Sequence, residues 1–101
     1  MRTRIKQPKA AATPEQFEAL VKTMAASHDV DNARPSTVEE AMDQVDDHWS
    51  WIGINLDEGD GPEAMLQNLA STVAACHRLA EILLGNVTAD QLAEIIDENK
   101  P

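Results

Sequence analysis

One stretch, residues 62–84, limits the folds open to this chain more than any other. It has no charged residue between Leu66 and His77, although 26% of the whole chain is charged. Its apolar residues recur every three or four positions, which predicts an amphipathic helix. They form one row of Leu66, Leu69, Val73, Cys76, Ala80 and Leu83 and a second row of Met65, Leu69, Thr72, Cys76, Leu79 and Leu83. So wide an apolar arc predicts a central helix that more than one partner covers.

A second long helix precedes it. Ser36-Thr37-Val38-Glu39 matches an S-x-x-E capping box, which predicts a helix start there. The apolar seam that follows has an unbroken heptad rhythm: Val38, Met42, Val45, Trp49, Ile52 and Leu56. The acidic and glycine-rich residues 57–61 then predict a tight turn, so the helices at about 37–56 and 62–84 should form a long antiparallel helical hairpin. In this register Leu56 lies near Leu66 and Trp49 packs against Val73.

Two shorter helices are predicted to flank the hairpin. Thr13 with Gln16, and Thr88 with Gln91, have the spacing of capping boxes. The first helix should end near Ser27 or His28, because residues 29–35 are rich in turn formers and finish with Pro35. We therefore predict an all-α fold, a small four-helix bundle in which residues 13–101 form a single helical domain. Residues 1–12 are predicted to be a flexible basic tail.

The charge and the cysteine content limit which classes of function are compatible with this sequence. The net charge is −10, with four basic residues and no acid in the first thirteen residues. An acidic body argues against direct binding of nucleic acid phosphates. The single cysteine, Cys76, permits no intrachain disulfide, and we expect an inert core thiol in a reducing compartment. With no secretory signal and no bilayer-spanning run, we expect a cytoplasmic protein that does not bind membranes.

The densest acidic block lies on the first helix of the hairpin. Its members fall off the heptad seam and either are a solvated face or form an electronegative surface for a basic partner: Glu39, Glu40, Asp43, Asp46 and Asp47. Asp43 and Asp47 are one turn apart, and the hairpin register sets them across from His77 and Glu81, which makes these four residues weak candidates for a metal site. A simpler interpretation pairs Arg78 with one of the two aspartates, and we predict no metal or other cofactor.

Trp51 is the strongest candidate for a contact with another molecule. It lies off the seam, and a half-exposed tryptophan is a favoured interface anchor. No serine or cysteine stands with a histidine and an acid in a catalytic pattern. We therefore expect a non-enzymatic protein–protein interaction module, a homodimer. Its predicted contact residues are Trp51, His48, Met65, Leu79 and Ile82.

Two short motifs resemble known families. Glu39-Glu40-x-x-Asp43 resembles the E-E-x-x-E of the MazG-like all-α nucleotide pyrophosphohydrolases, which implies a magnesium-dependent hydrolase. Asn68 and Ser71 stand where that family's second acidic motif would place acids, so this alternative is a degenerate member. Trp51-Ile52-Gly53 resembles the W-x-G of small secreted helical hairpins that act as dimers. A further alternative is an acidic decoy that inhibits a nucleic-acid-binding protein, as phage- or plasmid-borne inhibitors do.

Overall fold

The computed structural model describes residues 10–101, and within that range it contains four α-helices and no strand. These are α1 (Pro14–Asp31), α2 (Val38–Glu58), α3 (Pro62–Leu84) and α4 (Ala89–Glu98). The long hairpin is confirmed, since α2 packs along α3, and α1 packs on α3 from another side. Of the predicted tail, residues 1–9 lie outside the described range. No helix in that range is long and apolar enough to cross a membrane.

The capping boxes set the helix starts. Thr13 with Gln16, and Thr88 with Gln91, form both reciprocal hydrogen bonds of the motif, as predicted. The box predicted at Ser36 does not form, and α2 is capped one residue later. Thr37 is the N-cap, and its side chain accepts a hydrogen bond from the Glu40 backbone N–H.

The first helix ends later than predicted, at Asp31 rather than near Ser27 or His28. The Asn32 backbone N–H still donates to the His28 carbonyl oxygen at 2.8 Å. The Asp29 carboxylate accepts a hydrogen bond from Arg78 at 2.7 Å, and this ion pair ties the last turn of α1 to α3. A tertiary contact therefore outweighs the local turn propensity of residues 29–31.

The turn between α2 and α3 depends on one glycine and one asparagine. Gly59 ends α2 in the left-handed conformation (φ 72°), which a residue with a Cβ adopts at a cost. The buried Asn55 side chain donates to Asp60 at 3.0 Å and accepts from the Asn68 amide at 2.7 Å. The Asn55–Asn68 bond fixes the axial register of the hairpin within a residue of the predicted one.

The face that α2 turns towards α3 differs from the prediction. The predicted seam residues Met42, Trp49 and Leu56 are exposed, Trp49 by 60% and Leu56 by 68%. The residues one position earlier, Ala41, His48 and Asn55, are buried or half-buried instead. The other three seam residues, Val38, Val45 and Ile52, are half-buried. Neighbouring residues are about 100° apart around a helix, and only half of the seam is displaced by one position, so α2 is rotated by about 50° from the predicted orientation.

Small side chains explain this rotation. The buried residues of α3 are small: Ala70, Ser71, Thr72, Ala74 and Ala75. Ala41 on α2 is fully buried as well. Small residues let two helix backbones approach closely, and large side chains then lie beside the contact. Cys76, predicted to be a core thiol, is exposed for the same reason.

The first helix covers one side of α3. Val21 packs on Ala70 and Ala74 in the main buried cluster, which Phe17, Leu20 and Met24 border. The fourth helix is different, because it makes no packing contact with α1, α2 or α3. The large apolar residues of α4, namely Leu92, Ile95 and Ile96, are all exposed.

The Asn55–Asn68 bridge gives a test of the register. Asn55→Ala should lower the free energy of unfolding by about 1–3 kcal/mol, because the half-buried Asn68 amide loses its acceptor. The double variant Asn55→Leu/Asn68→Leu should recover much of that loss, since no polar group is then left unpaired. Urea unfolding followed by circular dichroism measures both. Equal stability of Asn55→Ala and the unchanged chain would contradict this role.

Candidate functional site

Two heptad rows form an exposed apolar surface on one side of the hairpin. On α2 the row is Met42, Trp49 and Leu56, and on α3 it is Leu69, Cys76 and Leu83. All except Leu69 are exposed, and Leu69 is half-buried. We call these six residues the apolar face. Exposed apolar surface is a candidate interaction site on a small protein.

The apolar face deepens into a cleft near the turn of the hairpin. Trp49 and Met65 line one part of it, Leu20 lines another, and Leu66 and Leu69 are common to both parts. We call these five residues the turn-end trough. The trough runs across α3 from α2 to the N-terminal half of α1, and none of the side chains that line it is charged.

Trp51, the anchor predicted from the sequence, lies on another side of α2. It is 48% exposed, and its position two residues after Trp49 places it about 200° away around the helix. The loop that follows α1 passes on this side, since the Gln44 side chain, two turns before Trp51, donates to the Ala33 carbonyl oxygen at 3.4 Å. The cleft that Met65 lines therefore contains Trp49 and not Trp51.

The other predicted contact residues lie in different parts of the structure. Leu79 and Ile82 are half-buried along α3. His48 faces α1, because its ring stacks on His28 with 4.4 Å between ring centroids and an interplanar angle of 3°. The predicted contact set therefore does not form one patch. The sequence signal that marks the exposed surface is the heptad row of Trp49, which its apolar spacing predicts to be interior.

The stacked histidines join α1 to α2. Burial is the main cause that lowers the pKa of His28 below 6.5, and nearby His48 and Arg78 lower it further, against the opposing effect of Asp29 and Asp31. His28 Nε2 is buried with no hydrogen-bond partner among the described residues. A protonated His28 would therefore be a poorly solvated charge, and this contact favours the neutral ring.

The acidic residues of α2 are exposed as predicted. Glu40 is the member with a local role, because its carboxylate accepts a hydrogen bond from the Ser36 backbone N–H at 3.1 Å. No ion pair within residues 10–101 involves any of the five: Glu39, Glu40, Asp43, Asp46 and Asp47. The predicted pairing of Arg78 with Asp43 or Asp47 is wrong, because Arg78 pairs with Asp29 and Glu81.

The structure separates the weak candidates for a metal site. Asp43 and Asp47 border a cleft with His28 and His48. His77 lies elsewhere, in the cleft between α1 and α3, and Glu81 pairs with Arg78 at 3.2 Å. In the described part of the chain, no group of three or more histidine, cysteine or acidic side chains is arranged to hold a metal ion.

Asn68 and Ser71 stand where the MazG-like hydrolases would have their second acidic motif. In this structure both residues lie within the hairpin. Asn68 is bonded to Asn55, and Ser71 is buried in the α2–α3 contact. Neither side chain supplies a carboxylate. Both side chains instead contribute to the packing of the hairpin.

Comparison with known proteins gives no relative: no family model, no curated protein and no solved structure matches this chain.

The histidine stack predicts a pH dependence of stability. The folded-state pKa of His28 lies below the ordinary value of 6.5, so the unfolded chain binds more protons near that pH. The contribution of His28 to the free energy of unfolding is therefore fully present above pH 6.5 and is lost as the pH falls through the lowered pKa. The free energy of unfolding, measured with urea from about pH 7.5 to about pH 5, should decline less for His28→Phe than for the chain without substitutions. The phenylalanine ring stays neutral and aromatic over this range.

His77→Phe is the matched control, because His77 lies in another cleft and makes no contact with the stack. His77→Phe should leave the change in the free energy of unfolding with pH the same as in the chain without substitutions. If His28→Phe and the unchanged chain lost stability in parallel, the stack would not be the cause.

Proposed function

We propose that this chain is a small acidic interaction module that self-associates as a homodimer through the apolar face. The observation that carries this proposal is the outward orientation of Met42, Trp49 and Leu56. Each is large and apolar, and together they follow the heptad spacing by which helices pair. Leu69, Cys76 and Leu83 continue the same spacing on the neighbouring helix. A second copy bound on this side of the hairpin would cover both rows.

The composition of the apolar face also favours pairing with a second copy. A two-fold axis pairs the same patch on both molecules, so a self-complementary surface is enough. The face has few functional groups that could give specificity for a different molecule, since its residues are aliphatic, aromatic or sulfur-containing. Tryptophan near the centre of such a patch is the residue type that most often dominates the binding energy.

Trp49 gives the decisive test. Sedimentation equilibrium of the unchanged chain should give twice the 11.0 kDa of one chain. Trp49→Glu should weaken self-association by about 30-fold or more, as loss of a central hot spot does. Its effect on folding should be small because the side chain is largely exposed.

Trp51→Glu is the matched control, because it makes the same change on another side of α2. It should leave the dimer dissociation constant within about threefold. In Trp51→Phe, Trp49 is the only tryptophan, and its fluorescence emission should shift to shorter wavelength as the dimer forms. If the chain without substitutions stays monomeric up to millimolar concentration, the proposal is refuted.

The acidic residues of α2 support a second candidate function, namely docking of a basic protein. They form what we call the acidic face: Glu39, Glu40, Asp43, Asp46 and Asp47. Its five carboxylates are exposed and lack cationic partners within residues 10–101. Asp43, Asp46 and Asp47 lie three and four residues apart, so they project from neighbouring positions of one helix surface. Such a patch attracts a positively charged partner and speeds its association. The decoy alternative is one form of this function.

The triple variant Asp43→Asn/Asp46→Asn/Asp47→Asn tests this candidate. It should bind immobilised polylysine much more weakly than the control Glu94→Gln/Asp97→Asn/Glu98→Gln, which removes the same charge from α4. It should also raise the free energy of unfolding by about 0.2–0.5 kcal/mol for each like-charged pair relieved. Equal loss of binding in both variants would show that net charge, and not the α2 surface, attracts the polycation.

A further inference from the structure

We infer that α4 of one copy packs into the turn-end trough of the second copy, so that the two chains exchange their last helices. This inference rests on the proposed self-association and states which element of the partner fills the trough. Its starting point is that both surfaces are apolar and that neither has a partner in the described chain.

The fourth helix needs a packing partner. Leu92, Ile95 and Ile96 lie on one side of α4, while Asp90, Glu94 and Asp97 lie on the other. A helix of ten residues is marginal in water on its own, even with the capping box at Thr88. The apolar side of α4 contacts none of the other three helices. The helix therefore requires an apolar surface that can accept three aliphatic side chains.

The trough of the same chain is out of reach. Leu66 and Leu84 are eighteen residues apart on α3, which is about 27 Å along the helix. The connection to α4 cannot extend, because the backbone N–H groups of Asn86 and Val87 donate to the carbonyl oxygens of Leu83 and Leu84. Even if α4 folded back along α3, Ile95 would travel only about 10 Å from its start.

A second copy removes this obstacle. When two hairpins pair about a two-fold axis perpendicular to their length, the Leu84 end of one lies beside the turn of the other. The partner's fourth helix then starts next to the trough and can lay its apolar side on Trp49, Leu66 and Leu69. The trough has no charged lining, and the acidic side of α4 stays in solvent. The exchange covers apolar surface on both elements at once.

Alanine substitutions test the contact without adding charge. Ile95→Ala/Ile96→Ala should weaken the dimer by about tenfold or more, because buried methylene groups are lost from the contact. Glu94→Ala/Asp97→Ala removes two side chains from the other side of the same helix and should leave dimerisation unchanged or slightly stronger. Sedimentation equilibrium gives the dimer dissociation constant of both variants and of the chain without substitutions. Equal effects of the two double variants would overturn the exchange.

A disulfide identifies which copy supplies the helix. In a Cys76→Ser background, Leu66→Cys with Ile95→Cys should form a bond between copies, seen as a covalent dimer on a non-reducing gel. Only an intrachain bond, or no bond in a chain that still dimerises, would overturn the exchange and leave the apolar face as the interface. If the unchanged chain is a monomer, both this inference and the proposed function fail.

Discussion

The close approach of α2 and α3 is the constraint on which the rest of the structure depends. In the register that the Asn55–Asn68 bond sets, the small residues Ser71, Thr72 and Ala75 of α3 lie opposite residues 48–52 of α2, so the two backbones can lie near each other. No large side chain is fully buried anywhere in the described chain. Because the contact is small and tight, the bulky apolar residues on each helix lie beside it. The exposed apolar face follows directly from the composition of the buried seam.

The polar contacts decide which side of the hairpin stays open. Arg78 holds the end of α1 through Asp29, and His28 stacks on His48. These contacts place the last turn of α1 on one side of the α2–α3 pair, and the Gln44 contact keeps the following loop there. The opposite side, with Trp49 and Cys76, receives no covering element from the described chain. One short helix is enough to cover one side of a hairpin but not both.

The helices, their order and the hairpin register could be predicted from the sequence, since capping boxes, turn residues and apolar spacing are local signals. The rotation of α2 could not. Its sequence carries two rows with the same heptad spacing, one through Ala41 and Asn55 and one through Met42 and Leu56. Hydrophobicity favours the second row for the interior, but packing of the small residues of α3 favours the first. Periodicity gives the spacing of a seam, and only the facing helix determines which seam is used. For the same reason the heptad spacing predicts Trp51, and not Trp49, as the tryptophan on the contact surface.

The acidic surface of α2 has a consequence for how this chain responds to ionic strength. Two copies that each carry a net charge of −10 repel one another as they approach. Mobile ions screen that repulsion over about 10 Å at 0.1 M salt, while apolar contact is barely weakened. Self-pairing should therefore strengthen as salt is added. Capture of a basic protein has the opposite sign, because screening weakens attraction between unlike charges. A single titration with sodium chloride thus separates the two kinds of partner by the direction of its effect.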